Sequence, residues 1–390
     1  MLDKPLDEVT ERDLQDLVDN SVQESKQLEY KEYLDPSNDD GDKTSLLAEA
    51  TSFANSRGGD LIVGIAEDDG VPETLGGIPL RGTPDQTVET WGNILRRQTE
   101  PKLPTTVYDI ATVPTDGGRH AIIVRVDRSW QRPHRVRTND RFYGRHASGK
   151  FPMTVGEIRE QMTAGQDRRE QLEEFRADRI SEFLTGDTPV PVEDGPKLLF
   201  HLVPYDAFSP GENIDLASGS VRNDSSPVQF LMRGPTGAHG DRFMVDSVTQ
   251  YVGDRQSPHS FYVRTFRNGA IEGFTNVGFS SEEVQGEEVP YLHAESVEET
   301  LNRALPDYLE FLAEQDLTPP LYAVTTVLDA EEYTFLDDNT PMLELIPFDR
   351  EVLQLPTEVI ESYDTNTDET ISSIMTSLWN AAGRRDSSDY

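Results

Sequence analysis

In residues 7–20, DEVTERDLQDLVDN, the apolar positions Val9, Leu14, Leu17 and Val18 follow an acidic first turn at helical spacing, which predicts a short amphipathic helix. The period then drops to two in LEYK. Leu28 and Tyr30 face one way and Glu29 and Lys31 the other, as in a half-buried strand. DPSNDDGD, 35–42, reads as a loop, and TSLLAEATSFANSRGG places Leu46, Leu47, Ala50, Phe53 and Ala54 on one helical stripe ended by Gly58 and Gly59. DLIVGIA, 60–66, is expected to be one buried strand running into the acidic turn EDDG. Further on, WGNILRR (91–97) has helical spacing, while AIIVRVDRS (121–129) and RFYGRH (141–146) read as strands. Thr154 and Glu157 form a capping box, and a charged helix over about 166–185 is expected to close the first domain.

GDTPVPVEDGP, 186–196, has three prolines and no periodicity, so a linker is expected there. Beyond it come strand patterns in KLLFHLV and SFYVRTFRNGAIEGF, the latter turning at Asn268-Gly269. A helix around 295–315, a strand PLYAVTTVL and a last helix around 367–383 follow. The expected class is α/β (α+β), with a first domain over 1–185 and a smaller α+β domain over 197–390. No internal repeat interrupts this plan.

Composition changes the picture in one respect. The 390 residues carry 72 acidic and 35 basic side chains, a net charge of −37, and only seven of the cations are lysine. The excess is spread along the whole chain, as in proteins of salt-accumulating archaea, so a halophilic protein is expected. In molar salt the Debye length is about 3 Å, and net negative charge then does not exclude a polyanionic partner. The absence of cysteine excludes disulfides, thiolate catalysis and cysteine-ligated zinc. No run approaches the roughly 18 apolar residues of a membrane span, and the N-terminus lacks a signal-peptide core, so a cytoplasmic protein without a membrane partner is expected.

Two constellations bear on chemistry. Glu24 and Glu29, five apart, converge only if the chain turns between them; Glu67, at the end of the DLIVGIAE segment, joins them if the two strands are neighbours. Three carboxylates at one rim suit Mg²⁺ or Mn²⁺, and Lys31 lies on the same strand face as Glu29, suited to offset charge on a transition state. On spacing alone, a solvated face of a very acidic protein is the better account of them. The second constellation is basic. Between 119 and 150 nine cations stand against Asp127 and Asp140. From this segment Arg125, Arg128, Arg132, His134, Arg135 and Arg137, then Arg141, Tyr143, Arg145 and Lys150, are candidates for binding phosphates and bases. GRHASGKF, 144–151, misses a phosphate-binding P-loop because Phe151 stands where Ser or Thr would ligate Mg²⁺. No HExxH or GxSxG pattern is present.

The segments ESKQLEYK, SFANSRGGDLIVGIAEDDG, RPHRV and RFYGRHASGKFPMTVGEIR resemble the Schlafen AlbA-like domain over about residues 20–165. This resemblance implies a nucleic-acid-binding domain, with RNA favoured over DNA. By analogy with nuclease members it further implies a metal-dependent endoribonuclease acting on structured RNA such as tRNA or rRNA, with Glu24, Glu29 and Glu67 as metal ligands. The third acid is Glu67 where those nucleases carry Asp, and Asp68 and Asp69 follow it, so Glu67 or Asp68 fills the role. The zinc-binding cysteines of vertebrate relatives are absent. A non-catalytic DNA- or ATP-binding regulator is the alternative, and paired Schlafen modules make a homodimer an expectation.

Overall fold

A computed structural model describes residues 2, 4–147, 149–209, 214–216, 239–284, 287–315, 317–337 and 346–385. The chain divides into two compact units, Met1–Arg169 and Glu170–Tyr390. That division lies N-terminal to the 186–196 segment expected to be the linker and makes the second unit the larger, not the smaller, of the two.

In the first unit, helix α1 (Glu11–Asp19) is opened by the reciprocal pair Thr10 and Asp13. Strand β1 (Leu28–Lys31) follows, then α2 (Asp40–Ala54), whose first turn takes up the end of the expected 35–42 loop. The Asp39 side chain accepts from the Asp42 N–H and caps α2, which is why the helix begins inside an acidic, loop-like stretch. Gly58, at φ 75°, lets its N–H return to the Phe53 carbonyl and ends the turn after α2.

The expected single strand over 60–66 is instead two, β2 (Gly59–Val63) and β3 (Ile65–Asp68). The break falls at Gly64, whose φ of 110° and close approach to Gly77 suit no other residue. Then come β4 (Val71–Leu75), α3 (Pro84–Arg97), β5 (Thr99–Glu100), β6 (Tyr108–Thr115), β7 (Arg119–Val126), β8 (Arg135–Val136), β9 (Arg141–His146) and β10 (Gly149–Pro152). One sheet runs β1-β2-β7-β6, with β1 parallel to β2, and a second runs β10-β9-β8-β5.

Helix α2 lies between these sheets, and Leu46 through Ala54 are all buried. Leu61, Val63, Ile122 and Val124 pack with α2, whereas Tyr30, Ile62 and Ile123 pack on the opposite face with Leu6 and Leu14 of the N-terminal segment. Glu29 pairs in register with Leu61, so the polar face of β1 is turned toward α2, not toward water. Helix α4 (Val155–Thr185) joins in one helix the segment opened by the expected Thr154–Glu157 capping box and the charged helix expected over about 166–185.

The second unit holds the C-terminal part of α4 and strands β11 (Lys197–Pro204), β12 (His239–Phe243), β13 (Ser247–Val252), β14 (Phe261–Phe266), β15 (Ile271–Thr275), β16 (Phe279–Val284) and β17 (Glu287–His293). After them come α5 (Ala294–Glu314), β18 (Leu321–Leu328), β19 (Thr334–Leu336), β20 (Val352–Gln354), β21 (Glu358–Ile360) and α6 (Thr367–Ala381). The main sheet runs β12-β13-β14-β15-β11-β18-β20, with β21 also on β18. Strand β11 is buried on both faces. Leu198, Phe200 and Leu202 pack with α5 and α6, and Leu199 and Val203 with Ile180 and Leu172 of α4 respectively.

On the α4 side of this sheet Glu272 is fully buried, accepting from Tyr262 Oη at 2.9 Å and lying 3.0 Å from His201 Nε2 and 3.4 Å from Arg179 Nε. Burial pushes the Glu272 carboxyl up, but His201 and the arginines outweigh it and hold it below the usual carboxylate range. Among the described residues no helix is long and apolar enough to cross a membrane.

Candidate nucleic-acid site and acidic rim

Where α2 crosses the polar face of β1, two acids and three cations share one buried cluster. Arg145 of β9 has no exposed side-chain surface; its Nη2 donates to Glu29 and its Nη1 to Glu49 at 2.8 Å. Lys31 pairs with the other Glu29 oxygen, and Lys150 of β10 with the other Glu49 oxygen. The Arg145 guanidinium also sits 4.1 Å from the centre of the Phe53 ring. Burial pushes the Glu29 carboxyl up, but Lys31 and Arg145 outweigh it and hold it below the usual range. Glu49 is the member that sequence reasoning missed. Its signal was an acid within the apolar stripe of α2, between Leu46 and Phe53.

Glu24 stands just outside this cluster. The chain does turn between Glu24 and β1: Ser25 bridges back to Leu28, and Glu24 Oε1 accepts from the Tyr30 N–H at 2.9 Å. Its own N–H donates to the Gly70 carbonyl at 2.8 Å, while Glu67 Oε2 accepts from the Gly70 N–H at 2.7 Å. Glu24 and Glu67 are thus held by one turn, on either side of Gly70. Partial burial pushes the Glu24 carboxyl up, and the negative charges of Glu29 and Glu67 add to that shift.

In this arrangement the three carboxylates are not joined at one metal site. Both Glu29 oxygens are taken by cations, leaving Glu24 and Glu67 as the accessible donors, and among the described residues no group of three or more His, Asp or Glu side chains is set to hold an ion.

The basic segment is dispersed by the fold. Arg125 clamps Asp60 at 2.8 Å and the Leu2 and Lys4 carbonyls. His134 is fully buried between the Pro101 carbonyl and Ser129 Oγ, and burial pushes its pKa down. Tyr143 is buried and accepts from Asn139. Arg135 and Arg137 share Glu100, and Arg135 also meets Asp140. Arg141 is exposed at the start of β9, away from this clustering of partners. Arg125, His134, Tyr143 and Arg145 therefore offer little or no surface to a ligand. Strand alternation and distant acids account for this: Asp60, Glu49 and Glu100 lie far from the segment in sequence.

Arg128 and Arg132 instead line an open cleft of about 590 Å³, together with Lys26, Arg57, Arg145 and Arg168. Glu157 and Glu160 of α4 are the acids on its wall; with Arg145 buried against Glu29 and Glu49, five cations face two carboxylates. His146 and Phe151 stack here, centroids 3.9 Å apart and planes within 12°. Asn55, which ends α2, fixes one wall. Its Oδ1 accepts from the His134 N–H at 2.7 Å, and its Nδ2 donates to the His134 and Tyr143 carbonyls at 3.0 and 2.9 Å. GRHASGKF forms the β9–β10 hairpin, with no helix opening at Lys150 as a P-loop requires; Ser148 lies outside the described residues.

A sequence-family model described as Schlafen, AlbA_2 matches residues 24–154. This span takes in Glu24, Glu67, the buried Glu29–Arg145–Glu49 cluster and the stacked hairpin. The chain carries a Schlafen AlbA_2 domain. At the level of that family, the match supports a nucleic-acid-related role for residues 24–154. No curated protein matches the chain. Among solved structures, the crystal structure of the DIP2311 protein from Corynebacterium diphtheriae is 17% identical, with a TM-score of 0.28, over 39% of this chain and 28% of that one. The chain thus spans under a third of that protein's length. Within the Schlafen AlbA_2 domain, Lys26 and Arg57 are cleft residues that sequence reasoning missed, because they lie outside the 119–150 run; Arg168 joins them from just beyond the domain's match.

Proposed function

We propose that the Schlafen AlbA_2 domain binds RNA through the cleft between the β9–β10 hairpin and the start of α4. The observation that carries this is charge. On a chain of net −37, five cations besides the buried Arg145 gather around one concave surface that also presents a stacked aromatic pair. Arginine forks suit phosphate oxygens, and flat rings suit bases. Counterion release weakens phosphate-only binding as salt rises, so contacts other than charge matter in a halophilic setting. DNA or ATP remains the competing ligand of the same chemistry. The test is fluorescence anisotropy with labelled tRNA, single-stranded DNA and ATP in high KCl, with Arg57→Ala/Arg128→Ala beside the parent protein. RNA binding lost in the variant supports the proposal; equal binding by both proteins, or preference for ATP, overturns it.

A second reading, metal-dependent RNA cleavage, is favoured by one observation. Glu24 and Glu67 are held by one turn on either side of Gly70, which leaves two accessible carboxylates where a divalent cation would be held. Cleavage of that kind requires Glu29 to leave Lys31 or Arg145. Incubating labelled tRNA with Mn²⁺ or EDTA, beside Glu24→Gln and Glu29→Ala, checks it: Mn²⁺-dependent products absent from both variants support cleavage, and intact RNA throughout sets it aside. A homodimer, likewise a proposal, is checked by sedimentation of the same preparation.

A further inference from the structure

The β9–β10 hairpin sorts its side chains by face. Lys150 pairs with Arg145, and both point into the Glu49 cluster; Phe151 pairs with Gly144 and stacks diagonally on His146, on the opposite face. A Cβ on Gly144 would lie 2.9 Å from Phe151 Cζ, so the missing side chain is what lets the ring lie down on the strand. His146 is exposed, and Phe151 is partly exposed. The stack therefore lines the cleft while cations from three other stretches stand on the same concavity: Lys26, Arg57, and the pair Arg128 and Arg132.

We infer that this stack is a reading head for one unpaired base, with the surrounding cations holding its flanking phosphates, so that the cleft takes single-stranded RNA or a flipped-out loop nucleotide in preference to duplex. This rests on the proposed RNA binding and narrows its substrate class. Two physical points favour it. A base paired inside an A-form helix has both faces covered by its neighbours and cannot stack on a side chain, whereas an unpaired base can. Stacking is also insensitive to ionic strength, unlike phosphate contacts, so it supplies affinity that survives the salt in which a chain of this charge works. The histidine ring has the area to receive a base, and Phe151 backs it so that it cannot turn away.

The experiment measures binding of two labelled RNAs, one an unstructured single strand and one a blunt, fully paired duplex of the same length, in high KCl. It uses the parent protein, His146→Ala, Phe151→Leu and Arg57→Ala. The parent protein is expected to favour the unstructured RNA. His146→Ala and Phe151→Leu are expected to weaken that RNA roughly 5- to 100-fold, the range of one stacked base, and to weaken the duplex by less. Arg57→Ala is expected to weaken both RNAs alike. Phe151→Leu keeps an apolar side chain against Gly144, and circular dichroism of each variant separates lost stacking from lost folding. Three results overturn the inference while leaving RNA binding standing: unchanged affinity in both ring variants, equal loss for both RNAs, or tighter binding of the duplex by the parent protein. A free mononucleotide that competes as well as the oligomer also overturns it, in favour of a nucleotide-binding cleft. Absence of binding to either RNA overturns the RNA-binding proposal itself.

Discussion

Replacing Arg145 by Met tests whether the buried cluster under α2 holds the two sheets of the first unit together. The change keeps most of the side-chain length and removes a guanidinium that bonds Glu29, Glu49 at 2.8 Å and Ser52 at 3.3 Å, and lies over Phe53. Removing one partner of a buried ion pair costs about 3–5 kcal/mol, because the carboxylates stay behind in a low-dielectric site. Lys31 and Lys150 remain to share those carboxylates, which places the expected loss near the lower end, about 3 kcal/mol. For a unit of this size that lowers Tm by roughly 6–12 °C. The assay is thermal unfolding by circular dichroism in high KCl, where exposed pairs are screened and buried ones are not. The pH dependence follows from Glu29. Its folded pKa lies below the unfolded value near 4.5, so its contribution is present above pH 4.5 and is lost as pH falls through the folded value. Arg145→Met should therefore differ most from the parent protein near neutral pH and least in acid. A loss under about 1 kcal/mol, or a deficit that grows in acid, would refute the structural role.

Other outcomes follow from the same geometry. Glu24→Gln should stabilise the first unit at neutral pH, since the folded carboxyl titrates above its unfolded value and its penalty is felt only above that value; urea unfolding should show the gain vanish as pH falls toward 4.5. Asn55→Ala strands the His134 N–H and two buried carbonyls, and should cost about 2–4 kcal/mol in the same unfolding assay. Glu272→Leu removes the partner of Tyr262 and His201 and one of the two carboxylates at Arg179, with Glu182 remaining, and should destabilise the second unit by about 3 kcal/mol, read by calorimetry. Gly144→Ala should displace the Phe151 ring and weaken unstructured RNA without reducing Tm by more than a few degrees, checked by anisotropy and melting together.

Much of the fold was legible because its elements obey simple periods. LEYK alternated as read, α2 kept its stripe and glycine stop, and the capping box opened α4. What periodicity could not tell was what covers a polar strand face. Glu29 and Lys31 face α2, and whether such a face meets water or a buried partner depends on Arg145, more than a hundred residues away. The strand over 60–66 broke at Gly64 for a reason of backbone approach that hydropathy does not register. The basic run misled in the opposite sense. Its linear density of arginine was real, but alternate positions on β7 and β9 point to opposite faces, so Arg125 and Arg145 serve Asp60 and Glu49 while only part of the run reaches the cleft. The cleft itself is assembled from Lys26, Arg57 and Arg168 as well, and no window along the chain contains them together.

The central claim is that the cationic cleft of the Schlafen AlbA_2 domain holds RNA phosphates. The most direct measurement is the affinity for a labelled single-stranded RNA across a KCl series, for the parent protein and for Arg57→Ala/Arg128→Ala. Single strands lose about 0.7 in the logarithmic salt slope for each phosphate contact removed, so the double variant should bind more weakly at every salt concentration, with a slope shallower by roughly 1.4. An unchanged slope and affinity would contradict the claim and place the RNA elsewhere on the molecule.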